Sequence, residues 1–325
     1  MNKKIKKTSF LILPIALGVF LIWYSLSKLS PSDVESIKNS FKTANYWWVL
    51  VSLIFGILSH LSRAYRWQFL LEPLGYKPRY ANSIMAVLIA YLLNLFIPRS
   101  GEFARAASVK KYENIPFEKA FGTIVAERVA DVIILLLIIG VAFFFQTELI
   151  SSYLFKEDES SSVYYKIFVF VVLPITGYLT YRFLKKSKNT YIKRVITFVN
   201  GLIDGAKSII TMKRKWEFIF HTIFIWAMYV LMFYAVTFAL PETTNLPFAA
   251  IIVGFVVGGL SMALTNGGLG TYPLLVAGAL VLYKIEHNAA LAFGWIMWTA
   301  QTIMVILFGS LSLILIPIYN KYQKK

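Results

Sequence analysis

Four short clusters hold the residues of this sequence best suited to chemistry. The first is Arg63-x-x-Arg66-Trp67, with His60 one helical turn earlier. The second runs Asn94-x-x-x-Pro98-Arg99-x-Gly101-Glu102-x-x-Arg105; the third is Glu127-Arg128-x-x-Asp131 and the fourth Asn266-Gly267-Gly268-x-Gly270. A guanidinium grips phosphate through two parallel hydrogen bonds, so Arg63, Arg66, Arg99 and Arg105 suit an anionic group. Arg99, Glu102 and Arg105 follow a Pro/Gly break at helical spacing, where a new helix would offer free backbone N–H groups to an anion. Glu127, Arg128 and Asp131 are i,i+3 and i,i+4 neighbours, so one helix face can carry a compensated cluster that holds a gate or relays protons. Such a cluster can equally pin helices together, and Arg63 and Arg66 can snorkel to headgroups from a helix end. Asn266 both donates and accepts, while Gly267, Gly268 and Gly270 permit backbone conformations closed to other residues. Tight helix packing is the alternative there, and Gly254-x-x-x-Gly258 upstream has the spacing of a small-residue interface.

The elements that position these clusters must lie in lipid. Of 325 residues, 58% are hydrophobic and only 15% charged, where a soluble domain carries about a quarter charged. Thr8–Ser27, Thr43–Ser62, Tyr80–Pro98, Phe218–Pro241, Thr243–Tyr283 and His287–Asn320 contain no Asp, Glu, Lys or Arg. About 20 apolar residues cross a bilayer as a helix, so the chain reads as one all-α polytopic membrane domain over 1–325. Spans are expected at 9–27, 46–70, 117–145, 163–183, 217–240 and 288–317. The first follows Lys3, Lys4, Lys6 and Lys7; its length marks it as a retained helix rather than a signal peptide.

Two further apolar regions, about 80–112 and 247–284, break near their middles at Ile97-Pro98-Arg99-Ser100-Gly101 and at Thr265–Pro273. Irregular backbone is not tolerated in lipid unless protein covers it, so both regions are expected to be re-entrant helical hairpins. Charge supports this: the outer loops and their borders then hold six basic and eight acidic residues, leaving 27 of the 33 basic residues inside or within the membrane. The termini are expected to be cytoplasmic and the membrane the plasma (inner) membrane. Hairpin one enters from inside and hairpin two from outside, an inverted repeat of the kind that places a binding site near the midplane. A shift of 172 residues pairs Leu92-x-Asn94 with Leu264-x-Asn266 and Ala120-Phe121-Gly122 with Ala292-Phe293-Gly294. An amphipathic helix is expected over about 192–212, lying among anionic headgroups of the inner leaflet.

Taken together, the four clusters resemble the lysylphosphatidylglycerol synthase transmembrane-domain family, also called flippase-like domain proteins, over roughly 45–317. The resemblance implies a stand-alone lipid translocase or lipid-handling protein. It does not imply lysyl transfer, which in the family belongs to a separate soluble domain. Thr265 and Pro273 stand where the family often carries Pro and Glu. The expected partner is a phospholipid or lipid-linked headgroup. Arg63, Arg66, Asn94, Arg99, Glu102, Arg105, Asn266, Gly267, Gly268 and Gly270 would form its path, and Glu127, Arg128 and Asp131 the gate. A non-transporting partner of a membrane synthase and an intramembrane transferase using Glu102, Glu127 or Asp131 as base are the rivals, and a homo-oligomer or a synthase partner is a possible assembly. No cofactor or metal is expected: there is no cysteine, and His60, His221 and His287 lack ligand spacing. Nothing resembles a P-loop, and the net charge of +17 is explained by the membrane rather than by nucleic acid.

Overall fold

A computed structural model describes residues 19–24, 27, 29–145, 173–185 and 209–322, with isolated positions 189, 192, 193, 196, 197 and 200. Most of the span expected at 9–27, the first part of that at 163–183 and most of the amphipathic helix at 192–212 lie outside these residues. The described chain is all-α, with no strand among the described residues. It forms two compact units, one of residues 1–127 with 216–325 and the other of 128–215.

Local chemistry sets the helix ends. Helix α1 (Pro31–Thr43) starts at a capping box in which Ser30 and Asp33 satisfy each other's backbone N–H, with Pro31 in the first turn. Asn45 caps α2 (Tyr46–Leu71) by accepting from the Trp47 N–H. Hairpin one is α3 (Tyr80–Phe96) and α4 (Ser100–Glu113), separated by Ile97-Pro98-Arg99. Then come α5 (Phe117–Phe145), α6 (Leu173–Leu184) and α7 (Lys215–Thr237). Hairpin two is α8 (Phe248–Leu264) and α9 (Thr271–Val281), followed by α10 (His287–Tyr322). The Glu286 carboxylate accepts from the N–H groups of Asn288 and Ala289 and so starts α10.

Helices α2, α7 and α10 are long and apolar enough to cross a membrane. Helices α3 and α8, 17 residues each, reach about 25 Å at 1.5 Å per residue, short of a core about 30 Å thick. Trp47, Ile223, Ile303 and Ile314 are exposed large apolar side chains on the long helices, as lipid-facing positions should be.

Helix α10 is the strut on which both hairpins pack. Near its start, a Cβ on Gly294 would lie 2.7 Å from the Pro273 backbone; further along, one on Gly309 would lie 2.5 Å from Leu92 Cβ. The base of hairpin two leads directly into its N-terminal end, where Asn288 donates to Asp33 of α1. The base of hairpin one is tied to its C-terminal end through Asn320. The two hairpins therefore enter from opposite ends of one helix, as the sequence suggested. Around hairpin two, Phe233, Tyr272, Val276, Leu280, Phe293 and Ile296 form the larger apolar core; Trp67, Leu71, Ala106, Val109, Ile115 and Ile124 form a smaller one against hairpin one.

Candidate functional site

Three polar assemblies lie in the larger unit. The first is the junction of the hairpin tips. Asn266 donates through Nδ2 to the Phe96 carbonyl at 3.0 Å, and the Trp298 indole donates to the Gly267 carbonyl at 2.8 Å. Gly267 has φ +60°, and a Cβ there would sit 2.5 Å from Leu95 Cδ2, so glycine permits both the turn and the contact. Each broken helix thus has its irregular backbone partnered by a neighbour, as burial in lipid requires. Within hairpin two, Gly268 and Gly270 also have positive φ. Thr265 and Thr271 share a hydroxyl hydrogen bond of 2.8 Å, and Thr271 donates to the Ser261 carbonyl.

At the tip of hairpin one, the Asn94 carbonyl oxygen accepts the Gly101 N–H at 2.8 Å and its amide donates to Glu102 at 3.4 Å. Asn94 therefore occupies part of the helix-start seat that the sequence offered to an anion. Ser100 donates to the carbonyls of Leu93 and Ile97. Gly101 is obligatory, because a Cβ would fall 2.1 Å from the Ala90 carbonyl oxygen. Arg99 stands exposed at the turn with φ +62°.

The second assembly is a buried ion triad. Arg66, fully buried, reaches Glu127 Oε1 at 3.2 Å, while Arg105 reaches Glu127 Oε2 at 2.6 Å. Arg66 also donates to Thr222 at 2.9 Å. The Arg105 guanidinium lies 3.8 Å from the centre of the Trp67 ring, a cation–π contact. The Trp67 indole donates in turn to Thr123. Arg63 and Arg66 are both buried, 3% and 0% exposed, so neither snorkels. The gate cluster divides: Glu127 joins the triad in the larger unit, while Arg128 pairs with Asp131 at 3.7 Å in the other.

The third assembly was not foreseen. At the base of hairpin one, Arg79 donates to Glu113 at 3.0 Å and to Asn320 at 2.6 Å. Asn82 donates to Glu113 and Asn320, and Asn320 returns a bond to Asn82 at 2.8 Å. The available signal was Asn82 itself, an amide near the start of an apolar run. Thr222 and Thr123, the triad's hydroxyl partners, carried no signal, since hydroxyls are ordinary in spans. A shallow open groove of about 290 Å³ runs between α2, α3 and α7, where Ser62 and His221 Nδ1 lie 2.8 Å apart. No group of three His, Asp or Glu side chains among the described residues is placed to hold a metal.

Three relatives frame the chain. It is 25% identical to the UPF0104 membrane protein MJ1595 of Methanocaldococcus jannaschii, over 96% of each chain. It is 25% identical to the UPF0104 membrane protein PH1989 of Pyrococcus horikoshii, over 43% of this chain and 41% of that one. It is 32% identical to Glycosyltransferase AglD of Haloferax volcanii, over 35% of this chain and 18% of that protein. No solved structure matches it. The model of the lysylphosphatidylglycerol synthase TM region matches residues 11–309, the whole stretch holding both hairpins and the ion triad. On that evidence the chain belongs to the lysylphosphatidylglycerol synthase TM region family.

Proposed function

We propose that this protein moves a phospholipid or lipid-linked headgroup between leaflets, along a path closed at the junction of the two hairpin tips. One observation carries the reading: two broken helices entering from opposite ends of α10 touch at Asn266–Phe96 and Gly267–Leu95. Non-helical backbone at membrane depth occurs where it lines a cavity or is buried in protein, and opposed broken helices are the plan of a transporter's midplane site. Parting the tips would expose Asn94, Asn266 and the glycine carbonyls to a headgroup while the acyl chains stay in lipid. Arg66, Glu127 and Arg105 would hold α4 against α2 and α5 as the tips move. The membrane would be the plasma membrane, with cytoplasmic termini, and the process transport rather than catalysis.

The test is leaflet exchange of fluorescent phospholipids in liposomes carrying the purified chain, against an Arg99→Ala/Glu102→Ala variant. Exchange by the wild type, lost in a variant of unchanged melting temperature, supports the path; unchanged exchange in that variant removes it. The partial similarity to Glycosyltransferase AglD favours a second reading, a non-transporting partner of a lipid-glycan synthase. That reading expects no exchange, together with stable co-purification of a synthase.

A further inference from the structure

A separate set of groups sits at mid-depth with hydrogen-bonding capacity left over. His60 and Asn266 are buried, and neither His60 ring nitrogen nor Asn266 Oδ1 has a partner; nor has the buried Trp226 Nε1 atom, while the Gln301 amide meets the Tyr272 hydroxyl. His60 is the fifteenth of 26 residues in α2, Trp226 the twelfth of 23 in α7 and Gln301 the fifteenth of 36 in α10. Each is thus near the middle of a helix long enough to span. The His60 ring lies tilted against Tyr91 with centroids 4.2 Å apart, and the Tyr91 and Tyr229 hydroxyls lie 2.9 Å apart. Trp226 meets Tyr229 edge-on at 6.1 Å. Both ends of this set reach the hairpin junction. Tyr91 lies one turn from Leu95, which faces Gly267, and Gln301 lies three residues from Trp298, which bonds Gly267.

An unsatisfied polar atom costs the full desolvation of that group, and lipid supplies no water to relieve it. Several such atoms around one junction describe a recognition surface closed on itself. We propose that this surface reads an uncharged, hydroxyl-rich headgroup, a glycosyl group on a lipid, when the hairpin tips part; this rests on the translocase reading above.

The chemistry selects that class. Trp226 offers a donor, Gln301 the second N–H of its amide, Asn266 an acceptor, and an imidazole such as that of His60 can supply one of each. Hydroxyls both donate and accept, so they fit a mixed set, whereas an ammonium can use acceptors alone. Aromatic rings at the same level supply the apolar faces against which a sugar ring lies. The nearest charges on α2 are Arg63, one turn from His60, and Arg66, and Glu127 is already engaged by Arg66 and Arg105. A cationic aminoacyl headgroup would meet arginines there.

The experiment is competition native mass spectrometry of the full-length chain in detergent with equal amounts of monoglucosyl-dioleoylglycerol, dioleoylglycerol and lysyl-phosphatidylglycerol. The expected result is about tenfold preference for the glucosyl lipid over both others, the size that one or two added hydrogen bonds give. His60→Phe should abolish the preference with melting temperature unchanged or raised, since an unsatisfied buried polar group is removed. Equal binding, tighter binding of the lysyl lipid, or a preference retained in His60→Phe would overturn the assignment. Tyr229→Phe, which deletes a single hydroxyl, must also weaken the preference and serves if His60→Phe does not fold. Binding is read without leaflet exchange, so a chain that prefers the glucosyl lipid yet moves no lipid overturns the translocase reading and leaves this one intact.

Discussion

Hairpin one and hairpin two solve the same problem by different physics. Hairpin one is fastened by polar groups along its length: Asn94, Ser100 and Glu102 at the tip, Arg105 to Glu127 midway, and Arg79, Asn82 and Glu113 at the base. Hairpin two carries no charged residue between 247 and 283. It turns on three positive-φ glycines and is held by threonine hydroxyls and by packing, with Gly254 against Phe233 and Gly258 against Tyr272. Hydrogen-bonded ions have directional optima and fail abruptly when a partner goes, whereas apolar contacts yield by degrees. Hairpin one should therefore act as the rigid half and hairpin two as the compliant half.

The largest expected effect comes from the ion anchor that only hairpin one has. Glu127→Ala strands two buried guanidiniums and should cost about 3–5 kcal/mol, read as a collapse in melting temperature or in monodisperse yield. Next is a matched pair. Gly101→Ala drives a methyl into the Ala90 carbonyl, which cannot move aside, and should cost about 3 kcal/mol. Gly267→Ala meets only the end of the Leu95 side chain plus a strained φ, at about 1–2 kcal/mol. Equal losses would break the rigid–compliant contrast. Asn320→Ala opens the base of hairpin one and should cost about 1–2 kcal/mol, with faster amide exchange in α3 and at the end of α10 but not in α8.

Gly122→Ala should be neutral or stabilising by about 0.5–1 kcal/mol, because a Cβ there meets nothing. At the repeat-related Gly294 it would meet Pro273, so Gly294→Ala should destabilise and show that the two halves are not interchangeable. The smallest effect lies outside the spans. Hydrogen bonds from Ser30 and Asn288 lower the pKa of Asp33 to about 2 from its ordinary 3.8. A lowered folded pKa means this contribution is complete above about pH 4 and is lost as pH falls toward 2. An Asp33→Asn chain should show a flatter melting temperature over that window.

Much of this architecture is written in hydropathy and in Gly/Pro breaks. The bounds of α2, α5, α7 and α10 fall within a few residues of the spans expected at 46–70, 117–145, 217–240 and 288–317, except that α10 continues to Tyr322. Gly101 and Gly267 mark the two turns because a Cβ there would run into Ala90 and Leu95. Pairing was less legible. Spacing along one helix grouped Glu127 with Arg128 and Asp131, but a 100° rotation per residue sends Glu127 and Arg128 toward different neighbours, so Glu127 pairs across space with Arg66 and Arg105. The faint repeat matched Asn94 to Asn266, yet Asn94 closes its own hairpin whereas Asn266 reaches into the other. Residue identity survives a shift of 172; the contact it makes depends on three-dimensional neighbours that no spacing encodes.

Helix α10 has 36 residues, about 54 Å of rise against a hydrocarbon core about 30 Å thick. The excess must project beyond the core or be taken up by tilt, and the degree of tilt follows the thickness of the surrounding bilayer. Both hairpins are fastened to this one rod near opposite ends, so a change of inclination displaces their tips in opposite senses. A change in lipid chain length should therefore reach the junction as a mechanical input, with the rod as a gauge of the membrane in which it stands.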